Sequence, residues 1–460
     1  MLSRFLFFFL TGILQVSFSF AGVSDPPKSG LQIATFEVDA TPPAGSVLAY
    51  NVMINKWDMG LSAKGIVLSG AGLPVVICSV DWIEICGESQ DAFKKALANA
   101  AGTTPQRVAV HTVHQHDAPI SDFGAERILK QAGLAPFAFD GTFQREVIER
   151  LSAALKESMK QYKPVTHIGL GSAPVEMVAS NRRILGPDGK VRATRYTATR
   201  DSALRAEPEG LIDPMVSLIS FWNGEEPVAV LSYYATHPQS YYGTGIPNPD
   251  FPGIARFTRQ LAVPSALHVH FAGAGGNLGA GKYNDGSKQN RGILAERLAD
   301  GMKRAWETSK REPVTSGSVR WNVEPVALPV SKSLEGEAAK VREQMKAKNM
   351  PLLYTTNNMM KVAFLERSQS GIKIDISCLS VGSARVLFMP GELFIEYQLA
   401  AKAARPDLFV AMAAYGDCGP GYICTADAYE QGGYEAGAGA SSVAPEVEGV
   451  LMAAIKKLLR

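Results

Sequence analysis

Strand-like segments that alternate with helical ones are the feature that most constrains the fold of this chain. The continuous apolar run over 74–80 (PVVICSV) is typical of a buried strand. Further strands are predicted over 108–112, 228–234 and 267–272. Helical spacing of apolar residues predicts helices over 88–101, 142–161 and 291–309. This alternation indicates an α/β fold.

The part of the chain after Pro313 has a different order of elements. The predicted elements are a strand over 317–325, a helix over 333–348, strands over 372–381 and 384–389, and a short helix from near Gly391. The sequence shows no internal repeat and no linker rich in Pro, Gly and Ser. We therefore expect one large mixed α/β domain over residues 22–460, with layered β-sheets flanked by helices. Its functional site is expected in loops at the strand ends.

The first 21 residues have the pattern of a signal peptide. Arg4 precedes an apolar run over 5–14, and small residues at alternate positions precede Gly22. We expect export to the periplasm or the extracellular space. No later apolar run approaches the roughly 20 residues that span a bilayer, so no transmembrane anchor is expected.

Charge and cysteine content narrow the classes of function. The formal net charge is +2, without long runs of one sign, which gives no reason to expect nucleic acid as a partner. A small-molecule substrate is favoured, and the oligomeric state stays open. The five cysteines do not form a C-x-x-C pair. Cys418 and Cys424 flank a Gly-Pro-Gly turn and fit either a disulfide or two buried thiols.

Three of the seven histidines lie within VHTVHQHDAP, residues 110–119. His114 and His116 are two apart, so in an extended segment both side chains project to the same side. They fit one metal ion or one substrate, or alternatively a hydrogen-bonded strand end. Asp117 favours the first interpretation because a carboxylate often fixes the tautomer of a ligating imidazole. The side chain of His111 does not project to that side of the strand, and His111 is predicted to be structural.

Other candidate residues lie far away in the sequence. They are His237 in ATHPQS, Glu392 in MPGELF and Tyr422 in GPGYICT. Each by itself also fits a structural role: a satisfied histidine, a glutamate at a helix start or an aromatic ring packed on a turn. His268 and His270 alternate with apolar residues and are predicted to lie in a core strand.

The order of five short motifs resembles the neutral, non-lysosomal ceramidase family. The motifs are VHQHDAP, ATHPQS, GAGGNLGAGKYN, MPGELF and GYICTADAYEQGGYEAG. The family carries its zinc-site segments in that order, approximately THTHSGP, VHP-T/S, N-x-G-D-x-S-P, PGEFTT and Y-x-T-T. The resemblance extends from about residue 31 to residue 445.

The resemblance implies a zinc site with four protein ligands. By position these are His114, His237, Glu392 and Tyr422, a mixed nitrogen and oxygen set that suits catalytic zinc. Tyr422 is preferred to Tyr429 because it precedes the segment that matches the family. His116 is then the candidate catalytic residue, which handles a proton or stabilises an oxyanion.

The chain also departs from the family pattern. Ala280 and Lys282 stand where the family has Asp and a Ser that is treated as essential for ceramide cleavage. A serine nucleophile at this position is therefore excluded, whereas a zinc-activated water is not. Asn277 and Gly279 match the family and are predicted substrate-binding residues. Two interpretations fit Lys282: it is either a cation that binds an anionic substrate group or an exposed lysine on a loop.

An arginine-rich segment over 181–209 is predicted to cover the site. Arg182 stands where the family has the arginine of an Asn-Arg pair. It is therefore a predicted substrate-binding residue, with Arg183 as the alternative. A solvated surface loop is the other interpretation.

We expect a zinc-dependent hydrolase that cleaves an amide or ester by metal-activated water. Ceramide itself is not the expected substrate, because the chain stops at Arg460 where the family continues into a β-sandwich. The sequence does not distinguish whether the cleaved bond belongs to a lipid, a sugar or another small polar molecule. The alternative function is a metal-binding or ligand-binding protein of this type without turnover.

Overall fold

The computed structural model describes residues 30–56, 58–348 and 352–460, with the backbone alone at 352–357. The predicted signal peptide, residues 1–21, lies outside this part of the chain. The structure confirms the mixed α/β class, since several β-sheets are flanked by helices. Within the described residues no helix is both long and apolar enough to cross a membrane.

Most strands belong to three large sheets. In chain order the strands are β1 (Gln32–Asp39), β2 (Ser62–Ser69), β3 (Val75–Val80), β4 (Glu84–Cys86), β5 (Val108–Thr112), β6 (Ile120–Asp122), β7 (Lys163–Pro164), β8 (His167–Pro174), β9 (Ser180–Asn181), β10 (Arg183–Leu185), β11 (Val191–Thr194), β12 (Met215–Asn223), β13 (Glu226–Tyr234), β14 (Leu267–Ala272), β15 (Leu278–Gly279), β16 (Lys310–Pro313), β17 (Val319–Val326), β18 (Ile374–Val381), β19 (Ala384–Phe388), β20 (Glu392–Leu393), β21 (Phe409–Ala413) and β22 (Tyr422–Ile423).

The helices lie between and after these strands. They are α1 (Gly87–Ala101), α2 (Phe123–Gln131), α3 (Thr142–Ser158), α4 (Ser202–Ala206), α5 (Asp250–Ala262), α6 (Gln289–Glu307), α7 (Lys332–Lys346), α8 (Leu352–Gln369), α9 (Ile395–Ala404), α10 (Ala426–Gln431) and α11 (Val447–Leu458).

The three large sheets share one topology, which the sequence does not reveal. Each contains three successive antiparallel strands and a helical crossover to a fourth strand that is parallel to the third. The first unit is β1-β2-β3-α1-β5, the second β8-β12-β13-α5-β14 and the third β17-β18-β19-α9-β21. The repeat is one of backbone topology, and different apolar residues fill the equivalent positions.

The three sheets enclose a common core. Residues from all three meet there, among them Ile77 of β3, Phe271 of β14 and Phe388 of β19. The outer face of the first sheet packs on α1 and α3, and that of the second on α5 and α6. Helices that include α9 and α11 cover the third. Because the parallel strands of each unit are buried on both faces, they read as continuous apolar runs.

The predicted elements agree with the structure most closely at the parallel strands. The strands predicted over 108–112 and 267–272 coincide with β5 and β14. The predicted start of a helix near Gly391 was wrong. Gly391 has a left-handed φ of 62°, and the next two residues form β20, so that α9 begins only at Ile395. The long helix α8 was not predicted.

Candidate metal centre

The candidate site lies where the parallel strands of the three units end. The pairs β3/β5, β13/β14 and β19/β21 are each parallel, so both strands of a pair have their carboxyl ends at the same edge. His114 and His116 follow β5, His237 follows β13, and Glu392 follows β19. Each unit therefore contributes at least one of these side chains to the same place.

The three histidines form a compact buried group, the histidine cluster (His114, His116 and His237). One ring nitrogen of each lies within 4.8 Å of those of the other two, which is close enough to share a metal ion. The Nε2 atoms of His116 and His237 are 3.0 Å apart. Oε2 of Glu392 lies 3.2 Å from Nε2 of His114 and 3.8 Å from Nδ1 of His237. Ligand atoms of a tetrahedral zinc site with bonds of about 2.05 Å lie at about 3.3 Å from one another, so the separation between His114 and Glu392 fits such a site.

The hydrogen bond of His114 places its proton on Nδ1, which is the tautomer whose Nε2 can bind a metal. Its Nδ1 lies 2.8 Å from the carbonyl oxygen of Ile83, and a carbonyl can only accept, so Nδ1 carries the proton. The lone pair of Nε2 then faces the carboxylate of Glu392, and neither atom has a hydrogen-bond partner in the described structure. Two buried lone pairs at this distance require a proton or a cation between them.

Without a metal, a proton takes that place. Burial lowers the pKa of His114, but the adjacent carboxylate of Glu392 outweighs it and raises the pKa above its ordinary value. The pKa values of His116 and His237 are lowered well below the ordinary value, by burial first and then by His114. The cluster thus holds two neutral imidazoles beside one position that favours positive charge.

His116 has a different hydrogen-bond pattern. Its Nδ1 lies 3.1 Å from the amide nitrogen of Gln239, which can only donate, and 3.1 Å from the hydroxyl of Tyr50. In the neutral ring the proton therefore sits on Nε2, the atom that faces the cluster. By distance His116 fits a third imidazole ligand, whereas this tautomer fits the predicted role of proton donor.

The backbone around His114 is strained. His114 and Tyr415 both have left-handed φ values, 67° and 60°, which are uncommon for residues other than glycine. Their rings stack with centroids 4.4 Å apart. The buried hydroxyl of Tyr415 has no hydrogen-bond partner in the described structure. Strain of this kind is frequent at functional sites because the surrounding fold holds the residue in place.

The third unit supplies the remaining predicted ligands. β20 and β22 pair in parallel with Glu392 opposite Tyr422, so both residues project from neighbouring strands. Tyr422 lines the cavity beside the histidine cluster. The hydroxyl of Tyr429 instead bonds to the Ser441 hydroxyl and donates to the Val443 carbonyl. Of the two tyrosines, Tyr422 is thus the one placed to reach a metal.

A cavity of about 190 Å³ opens from the cluster to the surface, and we call it the site cavity. Four half-exposed tyrosines surround its mouth: Tyr50, Tyr196, Tyr242 and Tyr434. Its charged lining residues among those described are Glu84, Arg182, Lys361 and Glu392. The interior is therefore polar, with an aromatic entrance.

Arg182 lines the site cavity, and among the described residues its guanidinium has a protein partner at Nε but none at Nη2. Its Nε donates to Glu435 at 2.6 Å, and its guanidinium lies 4.9 Å from the ring centroid of Tyr422. Arg183 bonds to the other oxygen of Glu435 at 2.9 Å and does not line the cavity. The segment over 181–209 also contributes Tyr196 to the entrance, so it covers one side of the site.

The other predicted substrate-binding residues lie outside the cavity lining. Asn277 accepts from the backbone N–H of Ile395 at 2.9 Å and donates to Glu396. Gly279 pairs with Ser180 in the short β9/β15 sheet. The Lys282 ammonium donates to the carbonyls of Arg205 and Glu207, at 3.1 and 2.6 Å. Their substrate role stays a prediction.

The five cysteines are free and buried. The disulfide between Cys418 and Cys424, one of the two alternatives, is therefore not formed in the structure. Burial raises the pKa of both thiols above the ordinary value. Cys418 lines the site cavity as a neutral group.

Glu84 is a charged cavity residue that the sequence analysis did not single out. It belongs to β4, directly after the buried Trp82 and Ile83. Burial raises the pKa of its carboxyl to about 7; His114 lowers this pKa and Glu392 raises it. A glutamate inside the apolar stretch DWIEIC was the available signal, because a carboxyl group at such a place has a specific reason to be buried.

Comparison with known proteins finds this fold in neutral ceramidase from Pseudomonas aeruginosa. The two structures have a TM-score of 0.65 at 16% sequence identity, over 93% of this chain and 74% of that chain. A ceramidase complexed with C2 gives the same score, identity and coverage. No protein-family model matches the chain, and no curated protein matches it in sequence. The chain therefore has a ceramidase-like fold.

Proposed function

We propose that this protein is a metal-dependent hydrolase that cleaves an amide or ester bond of a small polar substrate. The observation that carries the proposal is the pair of unpartnered atoms, Nε2 of His114 and Oε2 of Glu392, that face each other at 3.2 Å. A cation between them satisfies both. The ceramidase-like fold supports hydrolysis as the class of reaction.

The donor set fits zinc. His114, His237 and Glu392 would hold the ion, with Tyr422 as the phenolic ligand, and one or more positions would stay open for water or substrate. A zinc ion bound there would polarise a carbonyl group and lower the pKa of water toward neutrality.

His116 supplies the proton chemistry in this proposal. Its neutral ring carries the proton on Nε2, 3.0 Å from Nε2 of His237, so this N–H lies directly beside a proposed metal ligand. Gln239 holds the ring by donating to Nδ1, which keeps the proton on the reactive side. A positioned acid or base of this kind contributes roughly 10² to 10⁴ in rate.

The shape of the site cavity favours a small substrate. Pockets that hold drug-sized ligands measure about 300–1,000 Å³. The cavity here measures about 190 Å³ and is lined by charged side chains, histidines and tyrosines. A two-chain lipid needs a long apolar surface, whereas an acylated amine, amino acid or sugar fits the polar interior. The expected export of the protein is part of the same proposal.

The metal content of the purified protein tests the proposal. We expect about one zinc ion per chain in the wild type and little in His237→Ala. His167→Ala is the control, because this half-buried histidine lies on β8 and bonds to Thr166. Its metal content should match the wild type.

Hydrolysis is then measured on a panel of small acyl amides and esters. Turnover that is lost when a chelator is added and that returns when zinc is supplied supports the proposed hydrolase activity. A protein that binds no metal after zinc is supplied overturns the proposal. Stoichiometric zinc without turnover on any of the panel would leave metal or ligand binding as the function.

A further inference from the structure

Two carboxylates line the site cavity among the described residues, and only one is explained by the metal centre. Glu392 faces His114 and His237. Glu84 projects from β4, whose register is fixed by pairing with β6, Glu84 opposite Ile120. The next residue, Ile85, is fully buried, which fixes the side of β4 from which Glu84 projects. Glu84 is therefore held in the cavity by the fold.

Every other charged side chain of the lining has a protein partner. Arg182 is paired with Glu435 at 2.6 Å. Lys361 donates to Glu337 at 2.8 Å and to the carbonyl of Ala438 at 2.7 Å. The carboxylate of Glu84 makes no hydrogen bond or ion pair with any described residue. Glu84 is half-buried and lines the cavity, so its carboxyl group is placed to meet a ligand rather than a protein partner.

We propose that Glu84 is a substrate-recognition residue that accepts a hydrogen bond from a donor group on the substrate, an ammonium or a hydroxyl close to the bond that is cleaved. This inference rests on the proposed hydrolase function and names its substrate class. An ammonium is the donor that gains most, because the ionised carboxylate of Glu84 makes no ion pair with Arg182 or Lys361 of the lining.

The entrance to the cavity agrees with a cationic or hydroxylated substrate. The Tyr50 and Tyr242 rings lie 4.7 Å apart, and both lie within about 5.5 Å of the His116 ring. The negative faces of such rings attract ammonium groups. A substrate that enters past these rings meets Glu84 on one wall and the histidine cluster on another.

Three isosteric amides test the inference by binding. β-Alaninamide, 3-hydroxypropionamide and butyramide carry an ammonium, a hydroxyl and a methyl group at the same position. Their affinities are measured by calorimetry for the full-length protein, both zinc-supplemented and chelator-treated. We expect the ammonium compound to bind roughly 10- to 100-fold more tightly than butyramide, as for a charge-assisted hydrogen bond.

Two variants of Glu84 distinguish the donors. Glu84→Gln should lose most of the preference for the ammonium but keep a preference for the hydroxyl, because its amide oxygen still accepts. Glu84→Ala should lose both preferences. Glu149→Gln, an exposed glutamate on α3, is the matched control and should bind as the wild type does.

The outcomes separate this inference from the proposed function. Equal affinity for the three amides in the wild type overturns the role of Glu84, even if the protein binds zinc and hydrolyses other substrates. Failure to bind any of them at millimolar concentration overturns it as well. A preference that Glu84→Gln removes supports it, even in a protein that shows no turnover. A hydroxyl preference equal to that for ammonium would assign a sugar-like or other hydroxylated substrate.

Discussion

The site cavity and the loop after β14, residues 273–284, use buried polar side chains in opposite ways. In the cavity, Nε2 of His114, Nδ1 of His237 and Oε2 of Glu392 have no hydrogen-bond partner in the described structure. In the loop, both polar atoms of the Asn277 amide are bonded, and the Asn284 amide donates to two carbonyls at 2.8 and 2.6 Å. Among the described residues, buried polar side chains are thus left without partners in one region and are bonded to neighbouring segments in the other.

The difference gives a practical rule for this fold. Buried polar groups are normally satisfied. Atoms without a partner also occur elsewhere in the described structure, at Tyr233 and His268 for example, but in the cavity several of them face one another. The positive φ of His114 points to the same region. The loop after β14 matches the family motif in part, yet its side chains hold neighbouring segments together. The following predictions test this contrast, from the largest expected effect to the smallest.

His114→Asn should abolish tight metal binding. Asparagine tolerates the left-handed backbone that His114 adopts, so the variant isolates the imidazole from the strain. We expect metal affinity to fall by more than about 100-fold, and hydrolysis with it. Metal content after dialysis against a competing chelator measures this, and the melting temperature of the chelated protein shows that folding is intact. Retained metal would mean that the unpartnered atoms do not mark the site.

His116→Ala should remove activity and leave the metal. If His116 acts as the proton donor, kcat falls by roughly 10² to 10⁴ with zinc content unchanged. Loss of zinc together with activity would instead make His116 a third imidazole ligand. His268→Ala, a buried histidine on β14 outside the cavity lining, controls for the removal of an imidazole from the interior.

Asn277→Ala should affect stability rather than substrate binding. The variant leaves the N–H of Ile395 and the carboxylate of Glu396 without their partner, which lowers the free energy of unfolding by about 1–3 kcal/mol. Denaturant unfolding measures the loss. A normal KM in the surviving folded protein is expected, and a KM increase of tenfold or more would return Asn277 to the substrate site.

Lys282→Met should have the smallest effect. The ammonium of Lys282 binds two carbonyls of the segment over 181–209, and its loss lowers stability by about 1 kcal/mol. Kinetics should stay within twofold of the wild type. A selective rise in KM for substrates with an anionic group would show that Lys282 reaches the ligand, and the contrast between the two regions would then fail at this residue.

The strands of the core were the most predictable part of the fold. β5 and β14 are buried on both faces and are rich in apolar and β-branched residues, which identifies them without any tertiary information. The short strands β20 and β22 have two residues each and exist only because they pair with one another across the 28 residues between Leu393 and Tyr422. No local pattern encodes such a pair, and a helix was predicted there instead.

The candidate site was predictable where a motif accompanies the residue. His114, His237, Glu392 and Tyr422 lie in short segments that resemble family motifs, and the structure brings all four to one cavity. Glu84 does not lie in a segment that resembles a family motif. Its place in the cavity depends on which side of β4 faces inward, which the sequence does not show. Tyr415 was missed for the same reason: its stacking on His114 requires the third unit to dock on the first.

The division of the proposed ligands among the three units has a consequence for folding. His114 belongs to the first unit, His237 to the second and Glu392 to the third, each more than a hundred residues from the next. Contacts at such sequence separation form slowly, because loop-closure entropy precedes any gain from them. We therefore expect the ligands of the proposed metal centre to come together late in folding. In refolding experiments with zinc present, metal uptake should follow the docking of the third unit on the other two and so report when the full set of ligands has assembled.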